Sequence, residues 1–291
     1  HSTYKNKPHS QIMSLFEARS SFPLEKSSKN FYESIIPNFS FRLNPSHMKS
    51  LKNRNVNVDN IFSINRLGIN EAYEEGKSLT IGLNYKKEKI LTEEEIAFNE
   101  ENEKEKIEKF FEFKLAGVLR DVNEDKISSS TTLNRKASNL FGSITNKLHE
   151  KIQLDYNFAI DNDLSTFENN DISLRFHINN LITSFNFSET NGEMGDSNQI
   201  SNSTLYKFND NNYLTFSTRR NRKISLTEYY DLVYEYKNDC LTAGIKYKKT
   251  YYSDRDAKPT EDLMLTLTLF PLTTLEQDVE QSFYRDNDLF N

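Results

Sequence analysis

The sequence has one cysteine, Cys240, and no tryptophan. A lone cysteine excludes any internal disulfide. Mean hydropathy is −0.74, and no segment approaches the roughly 20 apolar residues of a spanning helix. That absence leaves a membrane barrel open, because barrel strands alternate apolar and polar side chains and their average hydropathy stays low. A net charge of −6 argues against a nucleic-acid partner held through phosphate contacts. The histidines, His1, His9, His47, His149 and His177, are scattered without metal-ligand spacing. No nucleophile elbow, phosphate loop or dinucleotide fingerprint occurs. No catalytic residue, metal site or cofactor is therefore expected, and the chain is not expected to be an enzyme. Missing tryptophan removes one girdle aromatic of membrane barrels, a role that 15 Tyr and 21 Phe can take.

What the sequence does have is alternation. In 225–270, Leu226, Tyr230, Leu232, Tyr234 and Tyr236 share one strand face, as do Leu241, Ala243, Ile245 and Tyr247 on a second strand. Leu263, Leu265, Leu267 and Leu269 share a face of a third. Successive strand side chains point to opposite faces, so each strand has an apolar and a polar side. The pattern recurs at 12–22, 31–43, 78–87, 107–120, 138–147, 171–178, 181–188, 199–208 and 213–220. It is clearest at 150–161, where Ile152, Leu154, Tyr156, Phe158 and Ile160 oppose Gln153, Asp155 and Asn157. Pro37 marks an irregularity or bulge in its strand.

This gives about thirteen strands, mostly longer than globular ones and suited to a tilted membrane crossing. Turns at 148–149, 179–180, 209–211 and 238–239 are short, whereas 44–76, 121–137, 162–170, 190–198 and 253–260 are longer. Short turns at one rim and long loops at the other suit an outer-membrane barrel. The acidic run 89–106 reads as a solvated loop or short helix. The expected fold is all-β, an antiparallel up-and-down transmembrane β-barrel. The expected division is a barrel region over 1–270 and a polar periplasmic tail over 271–291. The chain begins at a histidine with no signal sequence after it, and reads as a fragment or mature product.

Residues 59–85, DNIFSINRLGINEAYEEGKSLTIGLNY, resemble the N-[LI]-F-x-x-[ND]-R … E-G-x-x-x-x-x-G motif of the LptD family, the lipopolysaccharide-assembly barrels of Gram-negative outer membranes. The stretch 17–41 resembles the strand pair before that motif, and YDLVYEYKNDCLTAGIKYKKTYY (230–252) resembles the closing strands. Together they cover residues 15–270. The resemblance implies a barrel of roughly twenty-six strands, of which this chain supplies the C-terminal half. It also implies lipopolysaccharide as cargo, an LptE-like lipoprotein plug, an LptA-like periplasmic bridge and the outer-membrane bilayer as partners. Many relatives carry a cysteine pair at the turn where this chain has Asp239-Cys240, and no disulfide is inferred for Cys240, which falls at a periplasmic turn.

Two candidate regions follow. Arg66 and Gly68, followed by Glu71, Glu74, Glu75 and Gly76, could order the long outer loop through an Arg–carboxylate clamp, or Arg66 could meet a glycolipid phosphate. The block Arg66, Gly68, Glu75 and Gly76 is the candidate clamp. The last strand, 261–270, lies between Pro259 and Pro271, which cannot donate ladder hydrogen bonds. Its outward Leu263, Leu265, Leu267 and Leu269, with Thr266 facing the other way, make it a candidate lateral gate for acyl chains. A general porin, a receptor-type barrel and a soluble β-rich binding or adhesion module are the alternatives.

Overall fold

A computed structural model describes residues 14–48, 55–68, 73–90, 109–149, 151–251 and 259–269, and the backbone of 273–278. Strands β1 (Phe16–Ser21), β2 (Leu24–Ser27), β3 (Phe31–Asn44), β4 (Gly76–Lys89) and β5 (Phe110–Arg120) come first. Next are β6 (Leu140–His149), β7 (Ile152–Ile160), β8 (Phe167–Ile178), β9 (Leu181–Thr190) and β10 (Ser197–Asn209). Then come β11 (Asn212–Asn221), β12 (Leu226–Lys237), β13 (Leu241–Thr250), β14 (Glu261–Leu269) and β15 (Thr273–Asp278). They form one antiparallel sheet in sequence order, with β2 beside β1 on the outer edge of β3. The fold is thus the all-β, up-and-down class that the alternation predicts, with β1–β2 at one end of the sheet and β15 at the other.

All thirteen expected strands are present, β2 is an additional short strand, and two further details differ. Residues 271–291 were expected to be a polar periplasmic tail outside the sheet's thirteen strands, yet Thr273–Asp278 pairs along β14 from Met264 to Leu269. An open strand edge carries unpaired N–H and C=O groups, and the neighbouring chain satisfies them. Pro37 causes no bulge: β3 pairs with β4 in unbroken register through Pro37↔Leu83. Its carbonyl accepts from Phe22 N at 3.1 Å, and a strand residue's N–H and C=O point to the same side. The missing donor therefore faces the outer edge, where β1 gives way to β2, and no ladder bond to β4 is lost.

Two adjacent rows show how cleanly the faces separate. Tyr85, Phe113, Ile144, Tyr156, Ile172, Phe187 and Ile200 are successive partners from β4 to β10, and so, one residue along, are Asn84, Lys114, Ser143, Asn157, Asp171, Ser188 and Gln199. The apolar face remains open, with Phe39, Ile81, Leu83, Leu119, Leu232, Tyr234, Ile245, Leu265 and Leu269 all exposed.

The apolar band does not follow a hydrogen-bonded row. On β3 it centres near Phe39, whose row passes Ile81 and Gly117 to the Leu140 end of β6. On β12 it centres near Leu232, whose row leads back through Phe216, Thr204, Thr183, Phe176 and Ile152 to His149, at the other end of β6. The band thus slips by about one residue per strand. With a rise of about 3.3 Å per residue and strands about 4.8 Å apart, that slip is a tilt of about 35°. This is the tilt of strands in a transmembrane barrel wall.

The buried apolar core lies on the polar face. Val56, Val58, Ile61 and Leu67 from the β3–β4 connection, and Ile127 and Leu133 from the β5–β6 connection, pack with Ala116, Val118, Phe141 and Ala159 of the strands. Both connections leave the same rim and fold inward. A third from that rim, between β9 and β10, adds Met194 to the core and a Glu193–Arg135 ion pair at 2.7 Å.

Candidate functional site

The β3–β4 connection turns back on itself through asparagines. Asn57 Oδ1 accepts from the backbone N–H of Asp59 and Asn60, each at 3.1 Å. The backbone N–H of Ile61, Ser63, Arg66 and Gly68 then bonds to the carbonyls of Asn57, Asn60, Ser63 and Asn65. Side-chain amides that mimic a turn's backbone bonds start such structure without a helix. Gly68 ends the series at φ 72. The coiled segment exposes Asn57 and Ser63 and directs Val56, Val58, Ile61 and Leu67 inward.

Three arginines fasten this segment to the sheet. Arg66, 1 % exposed, holds Glu74 through Nε and Nη2, both at 2.6 Å. Its Nη1 donates to Thr80 Oγ1 at 2.8 Å and the Ile61 carbonyl at 3.3 Å, and Nη2 also donates to Ser78 Oγ at 3.0 Å. These five bonds use the five N–H groups of a guanidinium. None is left for a glycolipid phosphate, so the clamp geometry is the one present. Arg120 of β5 donates to Glu74 Oε1, which it shares with Arg66 Nη2, and to the Glu75 carbonyl. Arg42 of β3 donates to the Phe62 and Ser63 carbonyls at 2.8 and 2.9 Å while its Nε meets Glu17 at 2.9 Å.

The carboxylate of the clamp is Glu74, where the sequence-based block had Glu75. Glu74 is buried, and Glu75 turns to the second inward connection, bonding Lys126 Nζ at 2.6 Å, His47 Nδ1 at 2.8 Å and Met48 N at 2.9 Å. Strand alternation supplies the reason: neighbouring carboxylates entering β4 point to opposite sides. Glu71 lies outside the described residues. Gly76 has φ 89, and a Cβ there would come within 3.2 Å of Arg120. Gly82 is needed for space: a Cβ would meet the Phe62 ring at 2.8 Å and the Leu115 carbonyl at 3.1 Å. The motif quoted from the sequence thus closes into one unit, with Phe62 on Gly82 and Arg66 on Glu74, Ser78 and Thr80.

The residues that seat the segment belong to no motif, although the sequence carries a signal for them. Ala116, Val118, Phe141 and Ala159 occupy polar-phase positions of their strands, and four apolar side chains there mark a covered patch. Arg42 and Arg120 are the matching signal, since long cations on a polar face need anchors.

Burial pushes the Glu74 carboxyl up, but Arg66, with Arg120 and Arg42, outweighs it and holds the pKa below its ordinary 4.5. At Glu75 burial also raises the pKa, and the bonds from Lys126, Met48 and His47 overcome it and bring it to about 2. Carboxyls lowered on folding contribute stability that is complete above their unfolded pKa and is lost as pH falls toward the folded value. The segment should therefore resist pepsin at pH 4.5 and become cleavable within 55–68 as pH approaches 2. Unchanged resistance down to pH 2 would show that these carboxylates do not hold it.

The other sequence-based candidates are spread over the sheet. Leu265, Leu267 and Leu269 of β14 are exposed on the apolar face as expected, and Leu263 lies on the same side, half-buried. Thr266 faces Gly244 on the polar side. Pro259 precedes β14, and Pro271 lies outside the described residues. Because β15 pairs with β14, the sheet's last edge belongs to β15. Cys240 is free and exposed in the 238–240 turn, its N–H bonded to Asn238 Oδ1 at 3.0 Å.

No family model and no curated protein matches the sequence. Among solved structures, the chain is similar to an engineered protein studied for asymmetric conductivity, at 10 % identity and TM-score 0.35 over 95 % of this chain and 92 % of that one. It is similar to a triple mutant of Rhodopseudomonas blastica porin, at 10 % identity and TM-score 0.33 over 92 % and 98 %. Salmonella typhi OmpF in complex with daunomycin matches at 11 % identity and TM-score 0.31 over 89 % and 86 %. Scores this low add no weight to the geometry described above.

Proposed function

We propose that this chain forms part of the wall of an outer-membrane barrel that delivers lipopolysaccharide to the outer leaflet, with no enzymatic step. The observation that supports it most is the clamp. The residues that resemble the lipopolysaccharide-assembly motif form one buried unit, and that unit fixes a loop on the polar face. Amphiphile sorting needs such a division. A polar lumen accommodates sugars, and acyl chains leave sideways along an apolar edge. The inward loops cover the polar face of β3–β6 near the loop rim and reach Ala159 of β7, while the polar face from Asn157 onward through β14 is mostly half-buried or exposed. That second stretch has room for an LptE-like plug, and the periplasmic rim would meet an LptA-like bridge. The β14–β15 end is the candidate lateral exit, one strand beyond the sequence-based seam. Among the described residues β15 pairs with Met264–Leu269 of β14, a short seam that is cheap to open.

A second reading is a general porin or receptor-type barrel, in which the clamped loop narrows a diffusion pore. One experiment separates the two. Cells carrying Glu74→Ala as the sole copy should show less surface-exposed lipopolysaccharide and admit bulky antibiotics. Normal surface lipopolysaccharide with raised solute conductance in planar bilayers would favour the porin and overturn the assembly reading.

A further inference from the structure

We propose that a notch in the apolar face of β3–β6 seats one acyl chain of lipopolysaccharide, while Lys77 above it meets a phosphate of the same molecule. The proposal deepens the transport reading and rests on it for the identity of the lipid. The notch, of about 410 Å³, has Gly117 as its floor, and its walls include Phe39, Ile81, Leu83, Leu115, Leu119 and Leu140. Phe39, Ile81 and Gly117 are successive partners in a row that reaches Leu140, so bulky side chains flank a strand residue that has none. A strand glycine often marks the close approach of another group. The space at Gly82 and Gly142 on the neighbouring strands is filled by the Phe62 and Phe158 rings. A Cβ on Gly117 would meet no described atom nearer than the Asn139 carbonyl at 3.8 Å. An unfilled gap forfeits dispersion contacts along its lining, and on a face turned to lipid the filler is a hydrocarbon chain.

Charge selects the lipid. Lys77, Leu79 and Ile81 alternate onto the same face of β4. Lys77 therefore stands four residues, about 13 Å, from the notch row toward the loop rim. It is exposed and makes no ion pair with any described carboxylate. The hydrocarbon core of a bilayer is about 30 Å thick. With Lys77 at headgroup level, the notch thus lies within the same leaflet. A cation at the surface and an apolar slot beneath it fit a lipid with an anionic head. In the transport reading the loop rim faces outward, and the lipid of that leaflet with both acyl chains and phosphates is lipopolysaccharide.

The test exploits the missing tryptophan. Phe39→Trp places an emitter on the notch wall, read as the difference from the unsubstituted protein. Tyr234→Trp, exposed on the apolar face of β12, is the control. The intact protein is placed in phosphatidylcholine vesicles containing a small fraction of chain-brominated lipid A, the membrane-embedded part of lipopolysaccharide. A parallel series contains chain-brominated phosphatidylglycerol. Bromine quenches tryptophan on contact. Quenching of Phe39→Trp should report lipid A enriched about fivefold over phosphatidylcholine, with no enrichment at Tyr234→Trp and less for phosphatidylglycerol. Gly117→Leu fills the notch without a clash and should abolish the enrichment, and Lys77→Gln should remove most of it. Heat-modifiable gel mobility reports folding, and if Gly117→Leu is misfolded, Lys77→Gln decides. Equal quenching at the two positions, enrichment unchanged in the folded variants, or phosphatidylglycerol matching lipid A would overturn the site. Enrichment in vesicles needs no export. Its absence beside normal surface lipopolysaccharide removes the site alone, whereas enrichment in a protein without export activity removes only the transport reading.

Discussion

Glu74→Ala should destabilise the loop–sheet unit more than any single arginine change. Breaking a buried ion pair from one side costs roughly 3–5 kcal/mol, because the partner is left as an uncompensated buried charge. Removing Glu74 strands two such partners, Arg66 and Arg120, both 1 % exposed at the side chain. Arg66→Ala is expected at the lower end of that range, since Arg120 stays on Glu74 Oε1, while Glu74 Oε2, Ser78, Thr80 and the Ile61 carbonyl lose a donor. The readouts are proteolytic accessibility of 55–68 and the unfolding midpoint of the detergent-solubilised protein in urea. Combining Glu74→Ala with Arg66→Ala should recover part of the loss, because contacting residues are not additive. A Glu74→Ala protein as stable and as protease-resistant as the wild type would show that packing of Val56, Val58, Ile61 and Leu67 seats the segment without the clamp.

Glu74 also illustrates what the sequence did and did not disclose. The strands were legible because a period of two is a local property, readable within any eight residues such as 152–159. Sheet order followed from short turns, whereas the tilt needed the strand registers. The inward fold of the long connection was not legible as a pattern, because its coiled turns have no period. Only the side chains it covers betray it, and these are scattered over β5, β6 and β7. The clamp was half legible. Arg66 stood out, but choosing among Glu71, Glu74 and Glu75 requires the phase at which the chain enters β4. The edge strand β15 was missed because Thr273–Asp278 is polar and pairs on one side only, so no two-faced alternation was imposed on it.

Arginine scanned along β7 should cost stability on alternate residues. Phe158 belongs to the apolar row with Leu115 and Gly142, its ring lies over Gly142, and Tyr156 and Phe167 stand with ring centroids 5.2 and 6.1 Å away. Phe158→Arg places a guanidinium among lipid chains at a cost of roughly 2–4 kcal/mol near the bilayer midplane. Loss of the ring over Gly142 adds to this. Asn157, one residue earlier, sits between Ser143 and Asp171 on the polar face. An arginine there reaches water and the Asp171 carboxylate and should change stability little. Neighbouring strands provide the same contrast, with Ile172→Arg costly and Ser173→Arg mild. Folding free energies of the intact protein into lipid vesicles measure both members of each pair. Equal costs on the two faces would mean that the Tyr85–Ile200 row does not face lipid, and the barrel-wall assignment would fall with it.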